Sequence, residues 1–410
     1  MICKNVDVTC SSTFSAPLDL IVVGDGVLGL ATALACRRRS EDLRIAVVGR
    51  ERSSGGASRA AAAMLGALAE VDARTFEDER SRAKFELARR SVPRWSEWLG
   101  RLSEVAGRPV PAMTLGTVVT VTDPTVDGPA LQAIQEAAGR FGVATESLEV
   151  RDVPGLRPRR TPPEAPALRI AGEGAIDPIQ VLSVLEAAAM ESNVLRIHEE
   201  AIGIDERTIE FASGTKLSAD RILVSNGAHA SSLLATHPDL VGRVPRIRFG
   251  TGVGIRATIP LEADIPREVV RTPNRPGGEG VYFAPHGPGR FYVGATCDVA
   301  DEPRDHPRIA ALRRILDTAM DDLSTDLGRA ECQPVLGHRP VSSDGAPLLG
   351  RGTESVWIAT GTHRDGFVSA PEISDRLAEE LVFGAAALPS ALGPCRSGMP
   401  DGTPAGSVPT

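Results

Sequence analysis

The sequence predicts an α/β protein with a nucleotide-type strand–turn–helix part interleaved with a second part built on an antiparallel sheet. Three observations carry this reading. The apolar run 18–23 passes through Gly24-Asp25-Gly26-Val27-Leu28-Gly29 into an Ala/Leu-rich helix that ends at Arg37-Arg38-Arg39. Near the other end, residues 356–360 read as a strand, 361–367 as a turn, and Ala370 onward as a helix. Between these, residues 247–296 alternate apolar and polar positions with a period of two, the mark of a half-exposed antiparallel sheet. With 410 residues there is room for two domains and a large core.

The first turn carries the most chemistry. Glycine at 24 permits the turn, at 26 it lets the backbone approach a pyrophosphate, and at 29 it lets helix and strand pack closely. The free N–H groups at the helix start then face phosphate charge. The next strand, 43–48, runs into Gly49-Arg50-Glu51. An acid that holds the adenosine ribose is expected at the end of this strand, and Gly49 stands there. Arg50 suits a 2′-phosphate and Glu51 lies two residues beyond, so this motif alone leaves FAD, NAD and NADP open.

A small-residue run follows at 59–65, then a charged helical stretch over 73–102 that includes Trp95 and Trp98. Residues 113–123 read as a β-hairpin, 131–141 as a surface helix and 153–166 as a proline-rich loop. Residues 212–234 read as a β-ribbon leading to a strand that opens on Asn226-Gly227-Ala228. From about Leu388 the chain is rich in Pro, Gly and Ser and is expected to be disordered. No internal repeat stands out.

Composition narrows the partners. A net charge of −8 and a pI near 5.5 argue against nucleic acid and anionic membranes. Six scattered cysteines without a CxxC pair argue against a metal or disulfide framework and fit a cytoplasmic protein. No apolar run near the N-terminus suggests a signal peptide, and none approaches a membrane span of ~20 residues. Oligomeric state is left open.

The motif blocks, taken in order, resemble the glycine oxidase, D-amino-acid oxidase and sarcosine oxidase family of FAD-dependent enzymes, glycine oxidase above all. The blocks are the glycine turn, SRAAAAMLGALAE (58–70), GAIDPIQVL (174–182), VSNGAHAS (224–231), GVYFAP with FYVGAT, GHRPVSSDGAPLLG (337–350) and GTHRDGF (361–367). The resemblance implies a glutathione-reductase-type FAD-binding Rossmann domain interleaved with an antiparallel-sheet substrate domain. It implies an N-terminal leader at 1–16 and an FAD domain at 17–95, 165–243 and 331–385. The substrate domain would take 96–164 and 244–330, and the tail 386–410.

By position, the resemblance implies that non-covalent FAD is held by Gly24, Asp25, Gly26, Val27, Leu28, Gly29 and Arg50, and by Ser58, Arg59, Ala61, Ala62, Ala63 and Met64 along the ribityl chain and ring. Ala201 would lie at the adenine and Gly366, Phe367 and Val368 at the pyrimidine edge, and Asn226, Gly227, Arg364 and Asp365 would also bind the cofactor. Arg339 matches the carboxylate-binding arginine and Tyr282 the tyrosine that assists it. Arg364, Ala69, Cys297 and Gly280 fall at pocket positions, and glycine at 280 suggests a roomier site. Two residues depart from the family pattern: Gly49 stands where it has the ribose acid, and Ala63 where it has a glycine. On the first departure, Gly49→Glu is expected to tighten FAD binding.

The implied reaction oxidises the C–N bond of an amino acid or N-substituted glycine by hydride transfer to flavin N5. Imine hydrolysis then gives an oxo acid and an amine, and O₂ is reduced to H₂O₂. No general base is implied; His229, His338 and His363 are expected to serve structural hydrogen bonds. The implied substrate is a small-molecule amine carrying a carboxylate: a large secondary amine or hydrazine bearing a carboxymethyl group in specialised biosynthesis, or glycine, sarcosine or a D-amino acid in general metabolism. An NADP-dependent reductase and a non-catalytic flavoprotein are the readings from other classes.

Overall fold

The computed structural model describes residues 18–50, 55–275, 280–294 and 296–396. The expected leader at 1–16, Glu51 and the end of the expected tail, 397–410, lie outside the described residues.

The first sheet is built outward from β1 (Leu18–Val23), which leads through the glycine turn into α1 (Val27–Arg39) and back to β2 (Ile45–Val48). All the β2 residues are buried, as parallel strands covered on both faces must be. β1 pairs in parallel with β2 on one side and with Lys216–Val224 on the other. Val356–Thr360 extends the parallel set, and the antiparallel Leu348–Arg351 closes that edge. Leu195–Ile197 forms the opposite edge beside β2.

One face of this sheet is covered by α1 and the helices Trp95–Ala106, Pro178–Glu191 and Ala370–Phe383, whose apolar residues share a single core. The other face is covered by the ribbon around Ile204, Ile209 and Phe211 and by Ala230–Leu234. Arg37, Arg38 and Arg39 occupy the last turn of α1, where cations complement the helix dipole.

The second sheet has 11 strands. Its centre is Ile247–Thr258, paired along its whole length with Glu331–Ser342 and on its other side with Arg290–Gly294. Tyr282–Pro285, Val269–Arg271, Met113–Thr120 and Pro166–Ile176 continue it. It is antiparallel except where Val269–Arg271 meets Met113–Thr120 and where Gly55–Gly56 meets Glu331–Ser342.

Several local expectations need correction. Residues 113–123 are not a hairpin: Met113–Thr120 is one strand whose register shifts around Gly116, and Asp123 then caps the helix Pro124–Phe141. Gly116, at φ +100°, makes an irregularity in the strand rather than a reversal. Glu331–Ser342 and Pro166–Ile176 lie in the second sheet, whereas Trp95–Ala106 packs into the first core, so the sheets exchange segments at other points than 95, 165 and 331. The segment from Leu388 is ordered as far as it is described. Leu392 is fully buried, and Arg396 donates to both carboxylate oxygens of Asp344, at 2.6 and 2.7 Å. Among the described residues, no helix is long and apolar enough to cross a membrane.

Candidate active site

The turn after β1 forms a cradle for a phosphate. Gly24 sits at φ +117° with its α-carbon turned toward the Ser225 carbonyl, so neither the conformation nor the space admits a side chain. Gly26 precedes the first turn of α1, and no side chain caps the helix there. The Val27 amide donates to Ser58 Oγ at 3.1 Å, while among the described residues the Leu28 and Gly29 amides have no protein acceptor. Uncapped amides at the positive end of a helix dipole suit a pyrophosphate.

A cleft runs from this cradle between the two sheets. Of the cofactor positions expected from the sequence, Gly26, Val27, Leu28, Ser58, 61–64, Gly227 and 364–368 line it. Gly24, Asp25, Gly29, Arg50, Arg59, Ala201 and Asn226 do not. Arg59 reaches outward to Glu186 at 2.5 Å, and Arg50 pairs with Glu200 at the surface. Ala201 opens the strand Ala201–Ile204 in the ribbon. The Asn226 side-chain oxygen is buried without a partner beside the cleft-lining Ser225 and Gly227.

The stretch 59–64 is held by side chains from elsewhere. Tyr292 Oη donates to the Ala60 carbonyl at 2.9 Å, a ring nitrogen of His286 bonds the Ala62 carbonyl at 2.8 Å, and Arg256 donates to the Arg59 carbonyl. Ala63, at φ +49°, adopts the left-handed conformation that glycine takes without strain. Facing this stretch, the amides of Gly366, Phe367 and Val368 precede the helix Ala370–Phe383 and donate to no protein acceptor among the described residues. A polar, electron-rich ring edge fits such a row of donors. The uncapped cradle, the orphaned Asn226 oxygen and this row fit a dinucleotide carrying a flavin-type ring.

Arg339 and Tyr282, both proposed from the sequence to hold a substrate carboxylate, line the same cleft. The Arg339 guanidinium lies across Gly252, where a β-carbon would come within 2.8 Å of Nη1, and that nitrogen donates to the Thr296 carbonyl at 2.8 Å. Tyr282 is stacked on Tyr292, with ring centroids 6.1 Å apart and planes 10° from parallel. Arg364 also lines the cleft and donates to Asn274 Oδ1 at 3.2 Å.

Other pocket expectations fare differently. Ala69 is buried behind the wall, its amide donating to Glu173 at 3.2 Å, and Cys297 Sγ lies 3.4 Å from the His363 ring. Neither lines the cleft. Gly280 does, but a β-carbon there would run into Thr272 Oγ1 and come within 2.9 Å of the Pro273 carbonyl. Its small size is required by the wall, so the inference of a roomier site does not follow from it.

Sequence reading missed Glu70, Arg271 and Tyr292, which all line the cleft. Arg271 is buried at 4% exposure and pairs with Glu70, which Asn274 also contacts through its Nδ2 at 3.1 Å. Burial works to raise the Glu70 carboxyl, but Arg271 and Arg364 overcome it and hold the group at about 2. Arg271 stands 201 residues from Glu70, and no local spacing signals such a pair. His363 is held well below the usual histidine range by burial and by Arg364 and Arg339, so it is neutral at pH 7. His338 bonds the Arg304 backbone, at 3.0 Å to the carbonyl.

The model of the family described as "FAD dependent oxidoreductase" matches residues 19–380. The chain is 26% identical over 377 residues to glycine oxidase of Geobacillus kaustophilus, covering 89% of this chain and 92% of that protein. The solved structure of glycine oxidase from that organism superposes with a TM-score of 0.78 at 22% identity, over 93% of this chain and 99% of that one. The bifunctional protein ThiO/ThiG of Synechocystis is 24% identical over 89% of this chain, which spans 51% of that protein, about half its length. Iminodiacetate oxidase from Chelativorans sp. BNC1 superposes with a TM-score of 0.74 at 21% identity, over 92% of this chain and 98% of that one.

Proposed function

This chain belongs to the family of FAD-dependent oxidoreductases, and from that premise we propose that it oxidises the C–N bond of an amino acid or N-substituted glycine. The observation that supports this reading is the shared cleft: Arg339 and Tyr282 line it together with the dinucleotide cradle and the 366–368 donors. A guanidinium is the natural partner for a carboxylate, because its planar fork matches two oxygens at once. Arg339 binds the carboxylate in this reading, and Tyr282 donates its hydroxyl to the same group. That grip would hold the α-carbon near the 61–64 stretch, whose residues would hold the flavin ring, and FAD when bound would supply a two-electron acceptor.

The amine enters neutral, since a protonated nitrogen has no lone pair to support loss of the α-hydrogen with its electrons. Its oxidation leaves an imine, to which water adds before the C–N bond breaks to an oxo acid and an amine. His363 is neutral, Glu70 is committed to Arg271, and the reading needs neither as a base. O₂ is the proposed acceptor, giving H₂O₂. The relatives named for glycine and iminodiacetate set the first substrates to try.

Anaerobic addition of glycine, sarcosine, iminodiacetate or a D-amino acid to the FAD-loaded protein should bleach its visible absorbance. Arg339→Ala should keep the flavin bound while losing ~2–4 kcal/mol of transition-state stabilisation in kcat/KM. A yellow protein bleached by none of these carboxylates would overturn the substrate class, and an unchanged kcat/KM in the variant would remove Arg339 from the site.

A further inference from the structure

The FAD cofactor leaves a question at the adenosine end: β2 ends on Gly49, and no acid stands at the position expected to hold the ribose. We propose that Asp25, the second residue of the glycine turn, supplies that carboxylate. The inference rests on FAD as cofactor and is independent of the substrate reading.

The geometry puts the Asp25 side chain in the space a residue-49 side chain would need. A β-carbon built on Gly49 would lie 2.5 Å from Asp25 Cγ, 2.7 Å from its Oδ1 and 2.9 Å from its Cβ. The carboxylate that would project from the end of β2 is thus replaced by one arriving from β1, at nearly the same place. The two strands end side by side, with Val23 opposite Val48 and the Gly24 amide donating to the Val48 carbonyl at 2.7 Å. A shift of the acid from one strand end to the other therefore moves it little in space.

The carboxylate is also held for the task. Arg196, on the edge strand beside β2, donates to Asp25 Oδ2 at 3.1 Å, and its side chain is 17% exposed. Oδ1, the oxygen facing Gly49, accepts no hydrogen bond among the described residues. One oxygen anchored and the other free beside a phosphate cradle is the arrangement a ribose hydroxyl requires. The guanidinium also offsets the repulsion between this carboxylate and a pyrophosphate bound at the start of α1.

This explains why residue 49 is glycine and reverses the expectation for Gly49→Glu. With Asp25 in place, any side chain at 49 displaces the acid already there, so that substitution should weaken FAD binding. The acid should be movable: Asp25→Gly combined with Gly49→Glu should recover affinity that either change alone loses.

The decisive experiment is a binding cycle on flavin-free protein, titrating FAD and its 2′-deoxyadenosine analogue and following flavin fluorescence. The unaltered protein should prefer FAD by about 10- to 100-fold, the range for a hydrogen bond to a charged group. Asp25→Asn, which keeps the side chain's shape, and Asp25→Ala should bind both ligands within about twofold of each other, because the preference has gone. No preference in the unaltered protein, or a full preference surviving in both variants, overturns the proposal. Neither outcome touches the substrate reading, since no turnover is measured.

Discussion

Ala63 adopts φ +49° with its methyl buried at 4% exposure on the wall of the cleft. That conformation costs a residue with a β-carbon roughly 1–2 kcal/mol, and glycine escapes the cost. Ala63→Gly should therefore stabilise the protein by about 1 kcal/mol despite the greater freedom glycine adds to the unfolded chain. Thermal unfolding of the flavin-free variant checks this, and a lower Tm would mean that the methyl's packing outweighs the strain. Glu70 works in the opposite sense. Its folded value of about 2 lies below the ordinary 4.5, so the Glu70–Arg271 pair contributes in full above pH 4.5 and loses that contribution as pH falls toward 2. Glu70→Gln leaves Arg271 buried without its charge partner. We expect a loss of about 3–5 kcal/mol at pH 7 in urea unfolding, with a shallower acid limb than the unaltered protein.

The 59–64 stretch shows what an element owes to its surroundings. It contains too few residues in regular structure to hold itself, and the Tyr292 hydroxyl, a His286 ring nitrogen and the Arg256 guanidinium fix its carbonyls instead. Tyr292→Phe removes one of these bonds and strands the Ala60 carbonyl, at a cost of about 1–3 kcal/mol. The expected readouts are a lower Tm and a shifted visible spectrum of the bound flavin. A spectrum unchanged alongside a lower Tm would confine Tyr292 to stability. Elements whose signals are local were legible in the sequence: the β1–glycine turn–α1 unit and the strand, turn and helix over 356–383 are where the patterns put them. Residues 113–123 misled because Gly116 looks like a turn residue and is a register shift inside one strand. The tethers of 59–64 and the Glu70–Arg271 pair had no signal, since each joins residues distant in sequence whose types are ordinary alone. The order around Leu392 and Arg396 was hidden by composition: a Pro/Gly-rich segment can still dock one buried leucine and one bidentate arginine.

At the scale of the whole molecule, the two sheets are not separable bodies. Glu331–Ser342 runs through the second sheet, bridges to Thr362 through Val341, and ends where Ser342 Oγ donates to the Ala346 carbonyl at 2.6 Å, just before Leu348–Arg351 joins the first sheet. Trp95 sits in the first core and donates its ring N–H to the Val368 carbonyl at 3.0 Å, locking the segment that carries the flavin-edge donors. The cleft takes its cradle and 366–368 donors from one sheet's connections and Arg339, Tyr282 and Tyr292 from the other. A ligand filling it contacts both. FAD should then raise one cooperative transition rather than part of a biphasic one, by about 2.7 kcal/mol at a free concentration 100 times its Kd. Calorimetry of the protein with and without FAD tests this. Two transitions of which FAD moves only one would mean that the sheets unfold independently and that the shared strand does not couple them. A single transition moving as a unit would mean that damage on either side, at the Arg396–Asp344 pair or at the cleft-lining Arg271, lowers the same transition that FAD raises.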